Sequence, residues 1–304
     1  MKPNVEAVLQ KNGADRYVAN RHRSVNELSL ANLSVADAGP LELLDAAAAA
    51  GFDSVNMWLV PPPALAAFTV KCGALTPVVG DARLIREINR RIAATGVRVF
   101  EASCGWLSPT FSLSAAGRVL DTMAQIGTRR VSLVGWDGDR GRLVAHLAAL
   151  CADAAKYEIA VTLEFMPYSA VRTVADAAGV LTAVAAPNLD VLVDALHLAR
   201  SGGTPADLRL LEPHQIGVVQ LCDAPAIGPP AERLRDESVN RRRYPGEGEL
   251  PLDDLLAAVP ADIVIEIEIP AAEHAAEPIA ERARLCAQRS RTFLEAYQAR
   301  QSAP

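Results

Sequence analysis

Asn188-Leu-Asp-Val-Leu-Val-Asp-Ala-Leu-His197 is the stretch that decides how the chain is read. Val191-Leu192-Val193 is a short apolar run of the kind a buried strand makes. It ends on a carboxylate, Asp194, with an imidazole, His197, three residues further on. The same construction recurs on either side. Ala160-Val161-Thr162-Leu163 ends on Glu164, Ile216-Gly217-Val218-Val219 ends on Gln220, and Ile263-Val264-Ile265 runs into Glu266 and Glu268. Carboxylates are costly to bury unpaired, so several converging on one apolar mouth call for a cation between them. The expected site is a metal site.

Outward from these strands the chain alternates. A strand over Glu27–Leu33 precedes an alanine-rich helix, Pro40–Ala50, stopped by Gly51. A strand at Ser54–Leu59 runs into Pro61-Pro62-Pro63, which forces a loop. Asp81 starts a helix over Ala82–Ala94, and Val97–Ala102 follows as the third strand. Ser114 caps a helix to Ile126, Arg130–Val134 is the fourth strand, and a helix reaches about Tyr157. The pattern continues through strand Ala160–Phe165, helix Val171–Ala185, strand Asp190–Val193, helix Pro205–Leu211 and strands Ile216–Leu221 and Ile263–Ile267. A long helix over about Glu277–Ala299 closes the chain. About eight strands alternating with helices is the pattern of a single-domain (β/α)₈ TIM barrel. The competing doubly wound sheet lacks its glycine-rich turn after the first strand. The expected organisation is an extension over residues 1–23 and a barrel with its C-terminal helix over 24–304.

In a barrel the strand ends share one face, so Glu164, Asp194, Gln220 and Glu268 would converge from the fifth to eighth strands. Trp58, Trp106 and Trp136 follow the second, third and fourth strands, and would make the opposite half of the rim an aromatic wall for a small ring or polyol. Three carboxylates and an amide oxygen form a hard set that prefers Mn²⁺ or Mg²⁺, with Co²⁺ or Zn²⁺ the alternatives. Such an ion acidifies a C–H next to a carbonyl, and a neighbouring carboxylate can take the proton. Glu266 and Glu268 point the same way along the last strand. Glu268 lies nearer the mouth, leaving Glu266 a layer deeper and in need of an arginine or a proton. Glu101, at the end of the third strand, is a further candidate substrate contact.

With these motifs assembled, the chain resembles the xylose-isomerase-like barrel superfamily of sugar isomerases, epimerases and dehydratases. The resemblance rests on Leu163-Glu164-Phe165, Asp194-Ala-Leu-His197, Gln220-Leu-Cys-Asp223, Arg243-Tyr-Pro-Gly-Glu-Gly-Glu-Leu250 and Ile267-Glu268-Ile-Pro270. It implies that Glu164, Asp194 and Glu268 are metal ligands, and that Glu164 and Glu268 also move the proton. By the same resemblance His197 touches substrate and Arg243 reaches a substrate hydroxyl. Gln220 stands where many members carry histidine. The implied activity is isomerisation or epimerisation of a small sugar, keto-sugar or cyclitol. The alternatives are dehydration of an inosose-like or dehydroshikimate-like substrate, and a barrel that binds its ligand without turning it over.

Of the 304 residues half are hydrophobic, and the net charge is −6, with Arg241-Arg242-Arg243 as the one basic run. That balance argues against nucleic acid. The triplet reads as a solvated face. Scattered, odd-numbered cysteines, five in all, suit a reducing compartment, and no apolar run reaches membrane-spanning length. A cytoplasmic protein acting on a small molecule is expected, with the long last helix offering a surface for a homo-oligomer. Cys104 and Cys222 read as small buried hydrophobes, His146 and His214 as structural, and Gly135–Gly141 as a plain turn. No glycine-rich anion turn follows the last two strands, which argues against a phosphorylated substrate.

Overall fold

In the computed structural model, which describes residues 26–61 and 77–302, eight parallel strands close into a barrel in the order β1 to β8. The expected extension over residues 1–23 lies outside the described residues, as do Pro62 and Pro63. The strands are β1 (Leu28–Ala31), β2 (Ser54–Trp58), β3 (Arg98–Leu107), β4 (Arg130–Gly135), β5 (Ala160–Glu164), β6 (Leu189–Asp194), β7 (Ile216–Leu221) and β8 (Ile265–Ile267). Closure follows from β1 pairing with both β2 and β8.

Between and beyond them run α1 (Pro40–Ala50), α2 (Ala82–Thr95), α3 (Leu113–Ile126), α4 (Arg140–Ala155), α5 (Val174–Val184), α6 (Ala195–Arg200), α7 (Leu234–Asn240), α8 (Leu252–Ala258) and α9 (Ile279–Gln301). Gly51, Gly96 and Gly127 end α1, α2 and α3 in left-handed geometry, the conformation glycine adopts at least cost. Asp81, Ser112 and Asp139 cap α2, α3 and α4, so the cap of the third helix is Ser112 rather than the expected Ser114.

Two apolar layers hold the barrel. The larger lies between strands and helices, with Leu30, Val55, Met57, Leu163, Val193, Val219 and Ile267 all closed to solvent. A smaller plug of Phe100, Leu192, Val218 and Val264 fills the barrel interior. Beside it Arg130 Nη1 donates to Asp190 Oδ2 at 2.6 Å and to Oδ1 at 2.7 Å, and the guanidinium lies 5.6 Å from the Phe100 ring centre. Gly217 makes room for this pair, since a Cβ there would stand 2.3 Å from both partners. Among the described residues no helix is long and apolar enough to cross a membrane.

Candidate active site

β5 delivers Glu164 and β6 delivers Asp194 to the same end of the barrel, and Asp194 also starts α6. Its Oδ1 accepts the His197 backbone N–H at 2.7 Å. Capping a helix and facing the site are therefore one role, and the single turn of α6 swings His197 over the mouth. Glu164, Asp194 and His197 bring ligand atoms within 4.8 Å of one another, and His197 Nε2 lies 3.6 Å from Glu164 Oε1. Glu268, just past β8, lines the same cavity. Gln220 stands beside it, its Nε2 3.3 Å from Glu268 Oε1.

Sequence reading missed the cation at the centre. Arg242, only 2 % exposed, donates to Asp194 Oδ2, and its Nη2 pairs with Glu268 Oε2 at 2.9 Å. Arg243, the expected substrate contact, instead points outward and donates to the Glu247 carbonyl at 3.2 Å. The cause is the antiparallel bridge between Asp223 and Arg243. Along extended backbone neighbouring side chains diverge, so pinning Arg243 outward turns Arg242 inward. The loop is fixed by Asp223, whose carboxylate accepts N–H groups from Ala224, Gly246, Gly248 and Leu250 at 2.8–3.0 Å. A Cβ on Gly248 would lie 2.3 Å from Asp223 Oδ1, which explains the small residue there. The triplet Arg241–Arg243 is thus not a uniform solvated face.

The electrostatics follow from burial. Desolvation, then repulsion from Glu268 and Asp194, pushes the Glu164 carboxyl well above its usual range. Desolvation also raises Glu268, to about 7, with Arg242 opposing the rise. For Asp194 burial pushes upward, but Arg242, His197 and the capped N–H together win and hold it below its ordinary value. Desolvation lowers His197 to about 4, with Asp194 opposing and Arg242 adding to the drop. A neutral imidazole forms no ion pair, so the contact with Glu164 is a polar one between uncharged or singly charged groups.

Beneath the mouth lies a second polar layer. Gln220 Nε2 donates to Glu266 Oε1 at 2.7 Å, and Asn56 Nδ2 donates to Glu266 Oε1 and to Glu101 Oε1, each at 2.9 Å. Ser103 Oγ donates to Asn56 Oδ1 at 2.9 Å and so fixes which way that amide faces. Glu266 is pushed well above its usual range by desolvation and then by Glu101 and Glu268, and its partners are the two amides rather than an arginine. Glu101 corrects an expectation. β3 runs on to Leu107, so Glu101 is in mid-strand, closed to solvent and away from the substrate-facing rim, with desolvation raising its carboxyl to about 7.

Trp58 and Trp106 line the cavity with Met166 and Tyr168. Trp136 supports them from behind, its ring 4.3 Å from that of Trp106 at 21°. Tyr168 meets Trp136 and His197 edge-on at 6.4 and 5.7 Å. Cys222 is buried, with Arg242 Nη1 3.5 Å from its sulfur, and burial pushes its thiol up to about 12. The Cys104 side chain lies outside the described residues. His146 packs on Phe111, and His214 is exposed ahead of β7. Asp137, in the Gly135–Gly141 turn, is buried against Arg142 through bonds of 2.5 and 2.7 Å.

Glu164, Asp194 and His197, whose ligand atoms cluster, fit a divalent cation, with Gln220 and Glu268 beside them. Gln220 Oε1 is buried without a hydrogen-bond partner because its amide nitrogen is committed to Glu266, and His197 Nε2 is likewise unpartnered. Carboxylates and an amide oxygen are the donors such an ion takes.

Residues 44–289 match the family model described as xylose isomerase-like TIM barrel. The chain belongs to this family. No curated protein matches it in sequence. Among solved structures of the same fold, an IolI protein with a bound zinc atom is 16% identical, with a TM-score of 0.71 over 90% of this chain and 98% of its own. The probable 3-DHS dehydratase AsbF of Bacillus anthracis is 15% identical, with a TM-score of 0.68 over 85% and 98%. The E. coli 3-keto-D-glucoside 4-epimerase YcjR is 18% identical, with a TM-score of 0.65 over 88% and 100%. Solved proteins of the same fold thus include an epimerase and a probable dehydratase.

Proposed function

We propose that the protein is an isomerase or epimerase that moves a proton at a carbon next to a carbonyl in a small polyhydroxylated substrate. The observation that carries this reading is the pairing of Glu164 and Glu268 at one aromatic-walled mouth in different electrostatic settings. Glu268 has the Arg242 guanidinium at 2.9 Å, whereas Glu164 faces the neutral His197. Two carboxyls whose surroundings drive them apart are suited to divide acid and base roles. Glu268, whose rise is opposed by the Arg242 guanidinium beside it, accepts the proton from carbon. Glu164, which retains its proton more firmly, returns one from the other side. His197 presents Nε2 to a substrate hydroxyl, and Trp58 and Trp106 cover the C–H face and exclude water.

Glu164, Asp194, Gln220 and Glu268 would hold a divalent cation, Mn²⁺ or Mg²⁺ by preference, which when bound supplies polarisation of the substrate carbonyl. The two neighbouring activities, epimerisation and dehydration, share the first proton transfer. Incubation with Mn²⁺ and a panel of keto-sugars and cyclitols in D₂O, followed by NMR, tests the reading. Exchange of the C–H beside the carbonyl, with appearance of an isomer, is expected and is lost in Glu268→Gln. Exchange accompanied by loss of water would move the activity to a dehydratase. Absence of exchange across the panel from metal-loaded protein would refute the reading.

A further inference from the structure

Among the described residues, one cation of the cavity has no acidic partner. Arg235, on α7, also lines the cavity, and it makes no ion pair or hydrogen bond with the described residues. Its guanidinium is parked over Trp106, 5.5 Å from the ring centre, on an indole that is itself stacked on Trp136. The acids of its own helix are taken. Asp236 binds Arg233 at 2.9 Å and Arg241 at 2.7 Å, and Glu237 holds Arg200 through two bonds of 2.7 Å. A helix that assigns each of its acids to another arginine leaves Arg235 aimed across the aromatic wall as an open, planar, five-donor group suited to an oxyanion.

We propose that the substrate carries an anionic group, a carboxylate or a phosphate, and that Arg235 receives it at the rim while the reacting carbon lies over Glu164 and Glu268. This names the substrate class of the site proposed above and rests on that reading for the second half of the statement. Trp106 holds the guanidinium plane in place before substrate arrives, which limits the entropy lost on binding.

Titration calorimetry on Mn²⁺-loaded protein tests it with two matched sets, D-glucose, D-glucuronate and D-glucose 6-phosphate, and D-erythrose, D-erythronate and D-erythrose 4-phosphate. Within each set the members differ at the terminal carbon or at one oxidised end. At least one charged probe is expected to bind about 10–100-fold more tightly than its neutral partner, with the advantage shrinking as salt rises. The carboxylate and phosphate arms identify which anion is read. Arg235→Gln abolishes the advantage, whereas Arg233→Gln, a change at the exposed Asp236 partner, leaves it. Equal binding of charged and neutral probes, an advantage that survives in Arg235→Gln, or no binding of any charged probe at millimolar concentration would overturn the proposal. Anion preference through Arg235 without solvent exchange on any substrate would instead remove the isomerase reading and leave this one standing.

Discussion

Glu101 is closed to solvent, and burial raises its carboxyl from 4.5 to about 7, with the Ser132 hydroxyl and Arg130 opposing. A carboxyl raised in the fold contributes stability that is fully present below the unfolded value and is lost as pH rises through the folded value. For Glu101 that window runs from about 4.5 to about 7. Across it the folded chain binds one proton that the unfolded chain releases, so stability falls by about 1.4 kcal/mol per pH unit, or about 3 kcal/mol in all. Glu101→Gln supplies a permanently neutral group of the same shape, whose amide oxygen can still accept from Asn56. In urea titrations of metal-free protein, the variant should match the wild type near pH 4.5 and exceed it by about 3 kcal/mol at pH 8. The wild type should keep a residual slope, since Glu164, Glu266 and Glu268 are raised in the same direction. Equal slopes in the two proteins, or a variant less stable at pH 8, would show that Glu101 is ionised in the fold and would refute the reasoning.

Three further outcomes are expected. Glu266→Leu removes the acceptor that orients Gln220 and should weaken Mn²⁺ binding about 10–100-fold by calorimetry, whereas Glu266→Gln keeps a carbonyl oxygen there and should stay within about threefold. Arg242→Gln leaves Asp194 and Glu268 buried against each other and should cost about 3–5 kcal/mol in EDTA, largely restored by Mn²⁺, while Arg243→Gln should change thermal stability little under either condition. Gly217→Ala forces a methyl into the Arg130–Asp190 pair and should cost about 2–4 kcal/mol in urea denaturation.

The barrel was legible because its later strands are apolar runs that end on polar residues, a signal carried by each strand alone. β7 matches its expected bounds, and β6 and β5 differ by a residue at their ends. What was not legible depends on partners far along the chain. The short helices α6, α7 and α8 carry little period of their own and are held by what they pack on. Arg242 and Arg243 are indistinguishable by type, and only the bridge to Asp223, twenty residues back, decides which faces inward. Glu101 was misplaced because β3 does not stop at Ala102 as expected but continues to Leu107, through Gly105 at a φ of +102°. Arg235 gave no signal, since the Trp106 beneath it lies on a distant strand.

Metal binding bears most directly on the proposed site. Equilibrium dialysis of the stripped protein against Mn²⁺, with Glu164→Gln and Asp194→Asn beside it, should give about one ion per wild-type chain, with binding greatly weakened in both variants. No stoichiometric binding by folded wild-type protein at excess Mn²⁺, or undiminished binding in both variants, would contradict the assignment of Glu164 and Asp194 to a metal-assisted proton-transfer site.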